Sequence, residues 1–182
     1  GYLTVDELNY ERWLKSLYGE SNGSFKVGIG WSSPVYNEER QQWYMRLEEL
    51  LGIFDGRAEN VTLVCMQYDV SDEDRALLHA CGFNDVLYPD IDLKNDLDDM
   101  ATVMATLDLY IGPSTANCQL AGAVGTPVWL FGERCYDRWT LEGDYLRSFY
   151  PQTEVFLSQS RWDDVVSKMN TKLHELIVNK VM

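Results

Sequence analysis

The fold of this chain is written most clearly in LYIGPSTANCQLAGAVGTPVWLFG, residues 109–132. An apolar run breaks at Gly112-Pro113, a small-residue helical pattern follows and stops at Gly125, and a second apolar, β-prone run closes the segment. Strand, tight turn, helix and strand follow one another. Ser114 or Thr115 is placed to cap the helix. The first turn would then expose the N–H groups of Thr115, Ala116 and Asn117, and the helix dipole adds about half a positive charge there. A phosphate or diphosphate binds such a terminus without lysine. Ala116, Ala121, Gly122 and Ala123 let the helix lie close to a sheet. An ordinary crossover with a capped helix would use the same residues, so both readings stay open at this point.

Outward from that segment, strand-like and helix-like stretches alternate. Thr4 with Glu7 reads as a capping box before a helix to about Tyr18. A strand is expected over 25–31, and Leu47, Leu50, Leu51 and Phe54 place a helix over 39–54. The apolar run 61–67 reads as a strand covered on both faces. Ser71 with Asp74 caps a helix that stops at Gly82. A short strand over 85–88 precedes the loop 89–95, and Leu97, Met100, Ala101, Met104 and Leu107 mark another helix. Beyond residue 132 lie an irregular aromatic stretch (133–151), a last strand at 155–157 and a closing helix over 162–178. Repeated strand–helix units predict an α/β, Rossmann-like parallel sheet with helices on both faces. Ligands of such sheets sit beyond the carboxyl ends of the strands, which here means 31–40, 67–71, 88–96, 112–117 and 132–139.

Composition limits the ligand. With 182 residues, 46% of them hydrophobic, the chain can bury one sizeable core. Twenty-nine acidic against fifteen basic side chains give a net charge of −14, which argues against nucleic acid and anionic membrane surfaces. An anionic ligand would need oriented backbone dipoles and one or two cations. No apolar run spans a bilayer and no signal peptide is visible, so a cytoplasmic protein is expected. Cys65, Cys81, Cys118 and Cys135 form no C-x-x-C pair, and His79 and His174 complete no zinc spacing; reduced thiols and no metal are expected.

The wording L-D-L-Y-I-x-x-x-T-A-x-x-x-L-A-G-A-x-G-x-P-V-W-L-F-G, residues 107–132, resembles the carboxy-terminal domain of GT-B glycosyltransferases. It is most similar to the heptosyltransferase-like family and to the glycosyltransferase domains that follow tetratricopeptide repeats. The resemblance continues through K-V-G-I-G-W (26–31), L-V-C-M-Q-Y (63–68), D-L-K-N-D-L-D-D-M-A (92–101) and W-T-L-E-G-D-Y-L-R-S-F-Y-P (139–151). It implies a domain that binds a nucleotide-sugar donor, usually without a metal, with no cofactor beyond that substrate. It implies donor phosphates at Ser114, Thr115, Ala116 and Asn117, and a nucleoside near Lys94 and Asp96. Trp31, Ser32 and Gln67 would face the donor or cleft. Ser114 stands where the family commonly has Asp, and Gln119 where it has His. Gln119 can still hydrogen-bond the donor, but the two departures suggest a changed donor or weakened catalysis.

The expected organisation is a helix and linker over 1–24, leading to a missing acceptor-binding domain, and a donor-binding domain over 25–182. A chain that opens on Gly1 and has half the length of a two-domain enzyme reads as a piece of a longer protein. The catalytic base would lie in the missing half, and the acceptor would be a glycan or a protein.

Further residues have plainer roles open to them. Arg40 and Lys94 are cations placed to meet a diphosphate, with Arg134 and Arg138 behind them; each also suits a solvated surface. Asp96 can accept ribose hydroxyls or cap a helix, and the helix dipole accounts for Asp98 and Asp99. Trp31, Trp139 and Tyr145 suit stacking or packing. A nicotinamide-dependent oxidoreductase is rejected. Gly28-Ile29-Gly30 begins its fingerprint, but Ser33 replaces the third glycine and Pro34 follows. Two rivals remain, a non-catalytic nucleotide-sugar-binding module and a sugar-nucleotide epimerase.

Overall fold

The computed structural model describes residues 1–19, 24–33, 44–133, 150–158 and 161–181. Within them, helix α1 (Glu7–Tyr18) precedes strand β1 (Phe25–Ile29). Helix α2 (Leu47–Leu51) runs into a 3₁₀ turn, Gly52–Phe54, and then β2 (Val61–Cys65). Next come α3 (Asp72–Ala80), α4 (Leu97–Ala105), β3 (Leu109–Pro113) and α5 (Ala116–Val124). The chain continues through β4 (Val128–Glu133), β5 (Thr153–Ser158) and α6 (Asp163–Val181). The part of the expected helix at 39–43 lies outside the described residues.

The five strands are all parallel, in the order β2-β1-β3-β4-β5. The α/β, Rossmann-like expectation holds, with helices on both faces. One face is covered by α2, α3 and α6: Leu50, Leu78, Met169 and Leu173 meet Val27, Leu63, Ile111 and Phe131. The other is covered by α1, α4 and α5: Trp13, Val103, Met104 and Ala121 meet Val64, Tyr110 and Leu130. Strands buried on both faces explain the near-continuous apolar runs in the sequence.

Several local expectations are corrected. The cap of α1 is Asp6, whose carboxylate accepts from the Asn9 N–H at 2.9 Å, and not Thr4. Tyr2 and Leu3 both donate backbone N–H to Ala123 O, so the preceding segment is fixed by a contact far along the chain. The strand expected over 85–88 shrinks to a single parallel bridge, Leu87 beside Val64. Strands β1 and β2 end two residues early, at Ile29 and Cys65. Strand β3 instead continues to Pro113. The Ser71–Asp74 capping box and the Gly125 stop, at φ 97°, stand as expected.

Candidate functional site

In a sheet of this order the chain leaves β1 in one direction and β3 in the other, and the crevice between their carboxyl ends is the natural ligand position. The residues there come from three loops. After β1, Gly30 donates to Ile111 O, and the N–H groups of Trp31 and Ser32 both donate to Gln67 Oε1, at 3.0 and 3.1 Å. Gln67, just past β2, returns its Nε2 to Ser32 Oγ at 2.9 Å. It is 5% exposed, and its amide locks the loop after β1 to the end of β2. Gln67 therefore holds Trp31 and Ser32 in place.

The third loop is the strand–helix turn. Thr115 is the N-cap of α5, with extended backbone, but its hydroxyl makes no capping bond. Its N–H donates to Pro113 O at 2.7 Å, and this corrects the expectation that Thr115 offers a free donor. The first intrahelical bond runs from Gln119 N to Thr115 O, so helix geometry leaves the N–H groups of Ala116, Asn117 and Cys118 without intrahelical acceptors. Asn117 ties this first turn to β2 by donating Nδ2 to Met66 O at 2.9 Å. Trp31, Ser32, Gln67 and Ser114–Asn117 thus come together at one edge of the sheet, with the Trp31 ring packed into the core and Gln119 farther along α5.

Lys94 and Asp96 belong to the outer part of the same edge. The Lys94 ammonium sits 4.5 Å from the centre of the Tyr68 ring, directly after Gln67. Asp92 shapes this loop by accepting from the N–H groups of Lys94 and Asn95. The Asn95 side chain, first, and these backbone donors hold its carboxyl below the usual range. Asp96 caps α4 through Asp99 N. Arg40, Arg134, Arg138, Trp139 and Tyr145 lie outside the described residues. Among the described residues, no three His, Cys, Asp or Glu side chains gather as a metal site.

Two features were missed by the sequence reading. Tyr110 lies under the crevice, fully buried, and its hydroxyl has no hydrogen-bond partner. It shares a face with Gly28, its register neighbour. A Cβ on Gly30 would come within 2.6 Å of the hydroxyl, and one on Gly112 within 2.8 Å of the ring. The G-x-G that begins like a dinucleotide fingerprint is therefore room for a tyrosine lying on the sheet. Two same-face glycines in β1's run and one in β3 were the available signal. Burial, first, and then the Cys118 thiol push the phenol well above its ordinary pKa, while Asn117 pulls it back. Burial likewise pushes Cys118 up to about 12, so this thiol is packing rather than a nucleophile.

The second missed feature is Asp99. Beyond complementing the α4 dipole, it accepts from Asn9 Nδ2, Arg12 Nη2 and Trp13 Nε1, at 2.6, 2.9 and 3.0 Å. Burial raises its pKa, but the donors outweigh that and hold the carboxyl below its usual value. This latch docks α1 on α4.

No protein-family model matches the chain. Protein FlbA of Caulobacter vibrioides is 30% identical over 177 residues, covering 96% of this chain and 29% of that protein. Among solved structures, the E. coli ADP-heptose lipopolysaccharide heptosyltransferase II superposes with a TM-score of 0.69 at 13% identity, covering 99% of this chain and 54% of that one. A glycosyl transferase family 9 protein from Veillonella parvula gives 0.62 at 11% identity, over 98% of this chain and 54% of that one. A putative UDP-N-acetylglucosamine 2-epimerase from Listeria monocytogenes gives 0.50 at 12%, over 98% of this chain and 42% of that one. The chain thus spans about half the length of its structural neighbours and three-tenths of the curated relative. No described helix is long and apolar enough to cross a membrane. The chain has the fold of one half of a GT-B glycosyltransferase, the carboxy-terminal, Rossmann-like half.

Proposed function

We propose that this chain is the donor-binding domain of a glycosyltransferase and binds a nucleoside-diphosphate sugar for metal-independent transfer. The observation that supports this most is the crevice between β1 and β3. There the N-terminus of α5, whose Thr115 hydroxyl makes no capping bond, lies across from a loop immobilised by Gln67. In this reading Ser114, Thr115, Ala116 and Asn117 surround the diphosphate, and Ala116 and Asn117 offer backbone N–H groups. Trp31 and Ser32 line the opposite wall, with Gln119 and Arg40 as further donor contacts. Lys94 and Asp96 lie toward the nucleoside.

The helix terminus stabilises the negative charge that grows on the departing diphosphate, an electrostatic contribution that needs no side-chain acid. The base that activates the glycan or protein acceptor comes from an acceptor-binding domain, so the isolated chain turns over poorly. A cytoplasmic location, where nucleotide sugars and reduced thiols coexist, belongs to the same reading.

Serine at 114 and glutamine at 119, departures from the family pattern, favour a second reading: a module that binds the donor without transferring its sugar. Titration with ADP, GDP, UDP and CDP, with and without Mg²⁺, tests the shared claim. Micromolar to millimolar affinity for one of them, independent of Mg²⁺, is the expected result. A folded protein that binds none of the four overturns it. Sugar transfer by a protein carrying both domains separates enzyme from module, and sugar epimerisation without an acceptor would favour the epimerase instead.

A further inference from the structure

The floor of the crevice holds a polar atom that packing alone does not explain. Tyr110 is fully buried, and phenylalanine would fill the same trough over Gly28, Gly30 and Gly112 without stranding a hydroxyl. A buried hydroxyl without a partner is destabilising, and such groups call for an explanation. This one lies where the three loops of the site meet. A Cβ on Gly30 would touch the hydroxyl and lie 3.8 Å from Gln67 Oε1, and the Asn117 side chain is a polar neighbour. Asn117 Nδ2 gives one proton to Met66 O, and its second is left to face the phenol oxygen, the contact that pulls the phenol's pKa back.

We propose that the Tyr110 hydroxyl is a positioning group for the anion site, its oxygen accepting from Asn117 Nδ2 and so fixing the first turn of α5 as the donor diphosphate settles on it. The inference rests on the donor-site reading above. In this structure the Tyr110–Asn117 contact falls short of a full hydrogen bond, so it is one to tighten when negative charge arrives at the N–H groups of Ala116 and Asn117. A bond stronger in one of two states favours that state. It joins β3, the first turn of α5 and the end of β2 in one polar chain, Tyr110–Asn117–Met66. Tyr110 touches no ligand in this scheme and acts through Asn117.

The test is calorimetric titration of the wild type, Tyr110→Phe, Asn117→Ala and the double variant, using whichever of ADP, GDP, UDP and CDP the wild type binds most tightly. Tyr110→Phe is expected to lose affinity roughly five- to ten-fold, the worth of about one hydrogen bond, while its melting temperature stays level or rises. The double variant is expected to bind no more weakly than Asn117→Ala alone, because both changes break the same link. Unchanged affinity in Tyr110→Phe overturns the proposal. So does a double variant whose losses multiply, or an affinity loss that follows a fall in melting temperature. A wild type that binds none of the four nucleotides overturns the donor-site reading and this inference together, whereas wild-type binding with an indifferent Tyr110→Phe overturns this inference alone.

Discussion

The two faces of the sheet are built from different materials. Under α2, α3 and α6 the core is apolar and continuous, running from Phe25 and Ile29 to Phe131, Phe156 and Leu173, with polar contacts such as Asn170 to Ile53 O at its part-buried margin. Under α1, α4 and α5 the core is interleaved with polar groups. Tyr18 meets Thr106 at 3.0 Å, Thr126 donates to Met104 O, Lys26 lies 4.8 Å from the Tyr18 ring, and Asp99 gathers three donors from α1. Non-directional burial drives the first face, whereas the second adds directional contacts that fix where its helices lie. The candidate site opens at the carboxyl edge, where α5 from the second face meets the loop after β1. A helix that must present its first turn in one orientation sits on the face held by directional contacts.

That contrast can be broken by substitution. Phe131→Ala on the apolar face should cost about 3–5 kcal/mol, because it empties a fully buried ring position against Trp162. Chemical denaturation measures this, and a loss below about 1 kcal/mol would contradict the division of labour. On the opposite face, Gly30→Ala should cost about 1–3 kcal/mol through overpacking against Tyr110. Adding Tyr110→Phe should recover part of that loss, since the new Cβ meets the hydroxyl first. Additive losses in the denaturation midpoints would show that the tyrosine and the glycine do not share their space.

The smallest global effect is expected at Asp99. Its carboxyl is held below the ordinary value of about 3.9, so its contribution is present above that pH and is lost as the pH falls through the lower folded value. Asp99→Ala, or acidification below about pH 4, should speed hydrogen exchange in Glu7–Tyr18 while leaving β1 and β3 protected. Uniform loss of protection would mean that α1 is part of the cooperative core.

What was legible in the sequence was what neighbours along the chain decide. Ser71 and Asp74 cap each other across three residues, Gly125 turns left-handed where the apolar run ends, and the alternation of strand and helix announces a parallel sheet. The edge of the sheet at which to look for a site was legible for the same reason, since strand ends follow from strand order. Distant partners were not. Asp6 rather than Thr4 caps α1 in a segment fixed at Ala123, and the work of Asp99 depends on residues about ninety positions away. Thr115 resembled a donor only until the turn at Pro113 closed on its N–H. The strand expected at 85–88 failed because only Leu87 reaches the edge of β2.

Tyr110 and the three glycines beneath it also constrain how this sequence can drift. A side chain at Gly30 or Gly112 meets a ring already in place, so those exchanges are hostile while the tyrosine remains. Shrinking the tyrosine first empties the space over Gly30 and Gly112, while Leu107 still covers Gly28. The order in which substitutions arrive therefore matters more here than their identities, and the four positions should be inherited as a set.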